Sequence, residues 1–280
     1  ILTPSIAQKR ANNIVIDLTG PVSEDLLTDI RQIAYEFPNL LRHITVRNNT
    51  DKPINMQKLV DTIGEEKRVN SRFKKFISFK VESTHSEDFN LDYGNLTHVD
   101  GISLTNTDPN NLVGLNLSTY RLPQGTKDLT LNGFDLSTID LNLAKIKSLT
   151  LTGDRNTGFS RMLGKDGLTA LYAMRRPLDN EIRDIIAFAN SSSNLHTFGL
   201  TDVNLQGMKI LEVLRNPNLA ALVFNRVGLN SLDGIEFWNG KLDRLIVSNN
   251  QLGMDDYDRL IQLCDSLATD YGFVIIEKRF

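Results

Sequence analysis

Four histidines and a single cysteine are the most reactive side chains in this sequence of 280 residues, and their spacing decides what chemistry they can do. His43, His85, His98 and His196 lie far apart, and none stands four residues from another on a helix, the spacing by which two imidazoles grip one zinc ion. Cys264 falls in the apolar phase of a helical pattern with Leu260, Ile261, Leu263 and Leu267. A thiol so placed reads as a small buried hydrophobe, not as a nucleophile with a histidine base. The chain contains no GxGxxG or GxxxxGK[ST] segment that would cradle a phosphate. Asp255, Asp256 and Asp258 are clustered, yet they open the last helical pattern, where the helix dipole favours acids, and they lack the ligand spacing of a calcium loop. We therefore expect a non-enzymatic chain with no catalytic residue, no metal and no cofactor.

The informative pattern is apolar. Leu242, Leu245, Val247, Asn250 and Leu252 fall at the spacing LxxLxLxxNxL, in which a short strand turns two apolar side chains inward and an Asn carries the chain out of the strand. Leu41, Ile44, Val46 and Asn49 repeat it. Blocks beginning at Asn13, Phe76, Val99, Leu112, Thr126, Ile146, Leu168, Leu195 and Leu219 keep the two-residue core, although several have lost the Asn, with Thr107, Tyr120 or Val203 in its place. The first two blocks are spaced by 41 − 13 = 28 residues, and from Thr126 onward the spacings are 20, 22, 27, 24 and 23. Only 13 residues separate Val99 from Leu112, too few for a strand, two turns and a helix. Either one of those blocks is a false match or the return there is a bare turn. Helical periodicity fills the longer gaps: a run to Phe37 behind the N-cap candidate Ser23, then Ile54–Lys67, Asp179–Asn190, Met208–Arg215 and Asp255–Tyr271, with a last strand at Phe273–Ile276.

On these blocks the chain resembles a leucine-rich-repeat protein with irregular, degenerate repeats. The resemblance implies an α/β solenoid, with a curved parallel β-sheet on the concave side and short helices and turns on the convex side. It further implies one domain over residues 1–280: a lead-in at 1–12, repeats over 13–252, and a C-terminal cap helix and strand at 253–280. The competing reading is an ordinary α/β domain of alternating strands and helices. Composition fits either, with 40% hydrophobic and 23% charged residues. A net charge of −3 gives no field that would draw in nucleic acid, and the longest apolar runs fall short of the roughly 18 to 20 residues that span a bilayer. No signal peptide is evident, and a start at Ile1 leads us to expect an excised domain or processed product. Cysteine-clustered caps of the extracellular kind are absent, which favours an intracellular or secreted bacterial setting.

In such an architecture the residues between the core positions line up as ladders on the concave face. One ladder reads Ser103, Asn116, Thr130, Thr150, Tyr172, Gly199, Val223 and Ile246, and the next reads Thr105, Ser118, Asn132, Thr152, Met174, Thr201, Asn225 and Ser248. The early rungs are small and polar, as strand surfaces often are. The later rungs place Tyr172, Met174, Val223 and Ile246 beside Arg175, Arg176, Arg226 and Arg244, an apolar core with a charged edge. We take Tyr172, Met174, Arg175, Val223, Asn225, Arg226, Arg244, Ile246 and Ser248 as the candidate partner-binding residues. A second basic spot, at Arg42, His43, Thr45 and Arg47, and the run Lys67, Arg68, Arg72, Lys74 and Lys75 read more simply as solvated surface.

The expected function is a protein–protein interaction module with a protein partner, either a bacterial effector or the substrate-recognition module of a ubiquitin ligase. The targeting half of a larger enzyme is the alternative. The strand phase itself is testable. Leu245→Ala should cost about 2 to 5 kcal/mol, read from the denaturation midpoint, because it empties a core position. A midpoint equal to that of the wild type would put Leu245 on the wrong face.

Overall fold

The computed structural model describes residues 13–69, 77–97, 99–108, 110–111, 113–115, 122–123, 126–139, 146–162, 165–205, 207–267 and 273–275. Alternating apolar residues produce short strands with one buried and one open face. In chain order these are β1 (Asn13–Leu18), β2 (His43–Asn48), β3 (Ser78–Ser83), β4 (Gly101–Asn106), β5 (Val113–Gly114), β6 (Asp128–Asn132), β7 (Phe134–Asp135), β8 (Ser148–Thr152), β9 (Ala170–Met174), β10 (Thr197–Thr201), β11 (Ala221–Asn225), β12 (Arg244–Ile246) and β13 (Phe273–Ile275). Eleven of them form one parallel sheet in the order β1-β2-β3-β4-β6-β8-β9-β10-β11-β12-β13. The order never reverses, as it would in a doubly wound domain. The protein is thus a mixed α/β fold with one long parallel sheet, compatible with a repeat solenoid.

The pairing from β6 onward follows the expected spacing, since Leu129 faces Leu149, Leu149 faces Leu171, Leu171 faces Phe198, Phe198 faces Leu222 and Leu222 faces Leu245. One expectation is corrected and one open alternative is decided. Ile14 faces Ile44, so the first spacing is 44 − 14 = 30 and not 28. A slip of two residues keeps every side chain on its own face, so alternation alone could not distinguish the two registers. The block at Leu112 is the false match: Val113–Gly114 pairs with Phe134–Asp135 in a separate two-stranded sheet, and β4 pairs directly with β6. Ser103 therefore neighbours Thr130, while Asn116 and Ser118 lie outside the described residues.

Helices and turns return the chain across the buried face. Helix α1 (Glu24–Glu36) starts where Ser23 Oγ accepts the N–H of Leu26 at 3.2 Å, carries Glu24 and Asp25 in its first turn, and buries Leu27, Ile30, Ile33 and Ala34. Helix α2 (Gln57–Val69) begins three residues later than the periodicity indicated and runs on into the charged stretch. Helix α3 (Asp179–Ser191) matches its expected span and buries Ile182, Ile185, Ile186 and Phe188. Helix α4 (Ile210–Val213) is a single turn, shorter than expected. Helix α5 (Met254–Leu267) leads toward β13, which adds a further parallel rung with Leu245 facing Val274. The side chain of Cys264 and residues 1–12 lie outside the description. No helix among the described residues is long and apolar enough to cross a membrane.

One continuous core runs from Ile16 to Leu263. Its two largest polar-tipped aromatics are fully buried and satisfied, with Trp238 Nε1 donating to Asn216 O at 3.0 Å and Tyr93 Oη to Phe89 O at 3.0 Å. Buried amides hold the turns where strands end. Asn156 Oδ1 accepts the N–H groups of Gly133 and Phe134 at 2.9 and 3.2 Å, while its Nδ2 donates to Leu131 O and Thr152 O. Asn250 does the same for Val227, Leu229 and Phe224. Near the N-terminus this part falls to Asn48, which is buried and bonded to Asp88 and Lys52, whereas the expected Asn49 is exposed and reaches Asp17. Asn156→Ala should lower stability by about 1 to 3 kcal/mol, because it strands two buried N–H groups. Chemical denaturation monitored through Trp238 would measure it, and a shift under a few tenths of a kcal/mol would show that water replaces the amide.

Candidate functional site

The open face of the sheet carries the ladders in register. Thr150, Tyr172, Gly199, Val223 and Ile246 form one row, and Thr152, Met174, Thr201 and Asn225 form the next. Arg244 belongs to a third row, with Ala170, Thr197 and Ala221. Tyr172, Met174, Val223 and Ile246 are half-buried there, and Arg244 is exposed. The Tyr172 ring lies across β10 because Gly199 has no side chain: a Cβ at that position would come within 2.4 Å of Tyr172 Cδ1. Glycine weakens a strand interior, and this one opens a seat for an aromatic ring. Burial pushes the Tyr172 hydroxyl above its ordinary pKa; Arg244 partly offsets this, and Asp128 adds to it.

Beyond this face the strands turn off the sheet at one repeated step. Gly133 and Gly153 adopt φ of 84° and 89° there, and the equivalent residues in the next four rungs are Arg175 at 61°, Asp202 at 54°, Arg226 at 52° and Asn249 at 55°. Arg176 follows its neighbour into the same region at 57°. The N–H groups at this step still pair with the following rung, Gly153 with Met174 O at 2.9 Å, Arg175 with Thr201 O at 3.0 Å, Asp202 with Asn225 O at 3.0 Å and Arg226 with Ser248 O at 3.1 Å. Left-handed backbone thus lets the chain leave the sheet without abandoning a hydrogen bond.

The predicted binding residues divide into two groups. Tyr172, Met174, Val223, Ile246, Arg244 and Arg175 reach the open surface. Arg226 is engaged by Asp202 in a fork, Nε to Oδ1 at 2.7 Å and Nη2 to Oδ2 at 3.0 Å. Asn225 Oδ1 accepts from Ser248 Oγ at 3.0 Å and from Asn249 Nδ2 at 2.9 Å. Ser248 is only 5% exposed and lies beneath the rim. Sequence reasoning missed Asp202, Asn249 and the seat at Gly199. The recurring step that holds Gly133 and Gly153 was the available signal, since two glycines at one repeat position mark a special backbone conformation.

The basic spot on β2 is neutralised within the sheet. Arg47 pairs with Glu82 and approaches Asp17 at 3.9 Å, Lys80 also pairs with Glu82, and His43 Nδ1 shares a hydrogen bond with Ser78 Oγ. Burial alone would raise the Glu82 carboxyl, but Lys80 and Arg47 outweigh it and hold the group below the usual carboxylate range. In the basic run, burial pushes Lys67 down to about 8 while Arg68 is exposed; Arg72, Lys74 and Lys75 lie outside the described residues. Asp256 accepts the N–H groups of Leu232 and Gly253, which explains its burial. Among the described residues no cluster of His, Cys, Asp and Glu has the arrangement of a metal site. A cleft of about 480 Å³ opens between Thr19–Val22 and Thr50–Asn55, walled by Pro21, Val22, Pro53 and Ile54.

The lowered Glu82 pKa fixes the sign of a pH dependence. Its contribution to stability is present above the unfolded carboxyl value of about 4.3 and is lost as pH falls through the lower folded value. The midpoint of the wild type should therefore approach that of Glu82→Gln as pH drops from about 5 to 3. Parallel midpoints across that range would show that the pairing contributes nothing. Compared with known proteins, the chain matches no family model and resembles no curated protein sequence.

Proposed function

We propose that this chain is a leucine-rich-repeat interaction module that receives a protein partner on the open face of its sheet, over Tyr172, Val223 and Ile246. The observation that supports this best is the uncovered apolar row itself. Three large side chains stand half-buried in register around Gly199, on rigid parallel strands, with arginines at the margin. An apolar centre within a charged rim is the usual anatomy of an interface, and aromatic anchors carry much of its energy. A sheet that is already ordered also loses little entropy on binding. The in-order parallel strands, with their LxL cores and the Asn250 turn, support the repeat assignment.

The test is affinity capture with the wild-type chain and a Tyr172→Ala, Val223→Asp double variant, after confirming that both unfold cooperatively. A protein held by the wild type should bind the variant at least tenfold more weakly, about 1.4 kcal/mol. Equal retention by both chains would move the interface off this face.

A further inference from the structure

Charge on the open face is distributed unevenly. In the N-terminal strands Arg47 and Lys80 are matched by Asp17 and Glu82. At the C-terminal end Arg226 is matched by Asp202. Arg175, Arg176 and Arg244 are exposed, and among the described residues none of them has a carboxylate within ion-pair distance. Arg244 stands at the entry side of the patch and the Arg175–Arg176 pair at the exit side, so Tyr172, Val223 and Ile246 lie between two positive poles. Arg175 lies five residues along the strand and three strands across from Arg244. With about 3.3 Å per residue and about 4.8 Å per strand, the poles are about 22 Å apart, the span of roughly seven extended residues.

A second observation points the same way. Arg175 and Arg176 both hold left-handed backbone, at φ of 61° and 57°, and the step that Arg175 occupies is filled by glycine in the two preceding rungs. A side chain with a Cβ is strained there and glycine is not. Strained conformations of this kind collect where a side chain is used. The chain thus keeps two long cations where the backbone would be easier without them.

We infer that the partner segment is an acidic, extended stretch of protein, with carboxylates at its ends that meet Arg175–Arg176 and Arg244 and an apolar residue between them that packs beside Tyr172 and Val223. The inference rests on the reading of the open face as the interaction surface and adds the chemistry of what it receives. Guanidinium groups suit carboxylates through paired hydrogen bonds. Phosphate would suit them too, but the net charge of −3 works against a nucleic-acid chain.

The experiment is fluorescence anisotropy with a labelled glutamate–tyrosine copolymer, alongside polyglutamate and polyuridylate, against four proteins: the wild type, Arg175→Gly with Arg176→Gly, Arg244→Ala, and Val223→Asp. The double glycine variant relaxes the backbone, so its thermal midpoint should be at least that of the wild type while its affinity for the copolymer falls at least tenfold. Arg244→Ala should also weaken binding, polyglutamate should bind less well than the copolymer, and added salt should reduce affinity. If Val223→Asp abolishes binding and the arginine variants do not, the acidic-partner inference fails while the open-face reading stands. Polyuridylate binding as tightly as the copolymer, or no copolymer binding by the wild type, would also overturn the inference; the open-face reading would then be decided by the capture experiment alone.

Discussion

Every strand in this sheet has three to six residues, and each depends on its neighbours for both hydrogen bonds and burial. A parallel strand presents N–H and C=O groups on both sides, so a rung is satisfied only when the chain returns to the same level beside it. That return is the constraint from which the other features follow. It demands a turn at the same height in every repeat, closed by groups that can pair with the backbone of the rung before. Asn156 and Asn250 do this with their amides, whereas Asn48 fastens its own turn and reaches Asp88, and Asn106 fastens its own turn and the Gly133 carbonyl of the rung that follows. Where the turns are held, the strand register is held, and with it the rows of side chains on the open face.

The two halves of the sheet meet this demand differently. In the first four rungs the step beyond the strand core is taken by Leu18, Asn48, Ser83 and Asn106, all buried. From Gly133 onward the same step is left-handed, and where it holds a side chain it turns that side chain outward, which is how Arg175, Arg226 and Asn249 come to stand exposed at the rim. A left-handed residue other than glycine costs about 1 kcal/mol or more, so the rim is not the cheapest way to end these strands. The difference in turn chemistry therefore becomes a difference in surface chemistry: a charge-balanced face at one end, and an apolar patch between arginines at the other.

Buried carboxylates that could be mistaken for chemistry belong to the same scheme. Asp88 is fully buried and accepts from Asn48 Nδ2 at 2.7 Å, Ser83 Oγ at 2.6 Å and the Ile54 N–H at 2.8 Å. Glu181 accepts the N–H groups of Gly158 and Phe159 from the preceding rung. Each acid accepts two hydrogen bonds from the preceding rung, and Asp88 a third from Ser83 of its own, which accounts for its burial as a fastening between rungs.

The sequence by itself determined what is periodic along the chain. The LxL cores, the five spacings from Thr126 onward, the cap at Ser23 and the apolar sides of the helices at Glu24–Glu36 and Asp179–Ser191 are all local patterns, because alternation and helical spacing follow from backbone geometry alone. Tyr172, Val223 and Ile246 were placed on one row for the same reason. Only the tertiary structure decided the rest. It set the register of the first two strands, where a slip of two leaves the pattern unchanged, and it removed the block at Leu112 from the sheet. It buried Ser248, tied Arg226 to Asp202 and set the Tyr172 ring over Gly199. Each of these depends on a contact between residues some twenty or more positions apart, and such a contact forms only when the rungs are stacked.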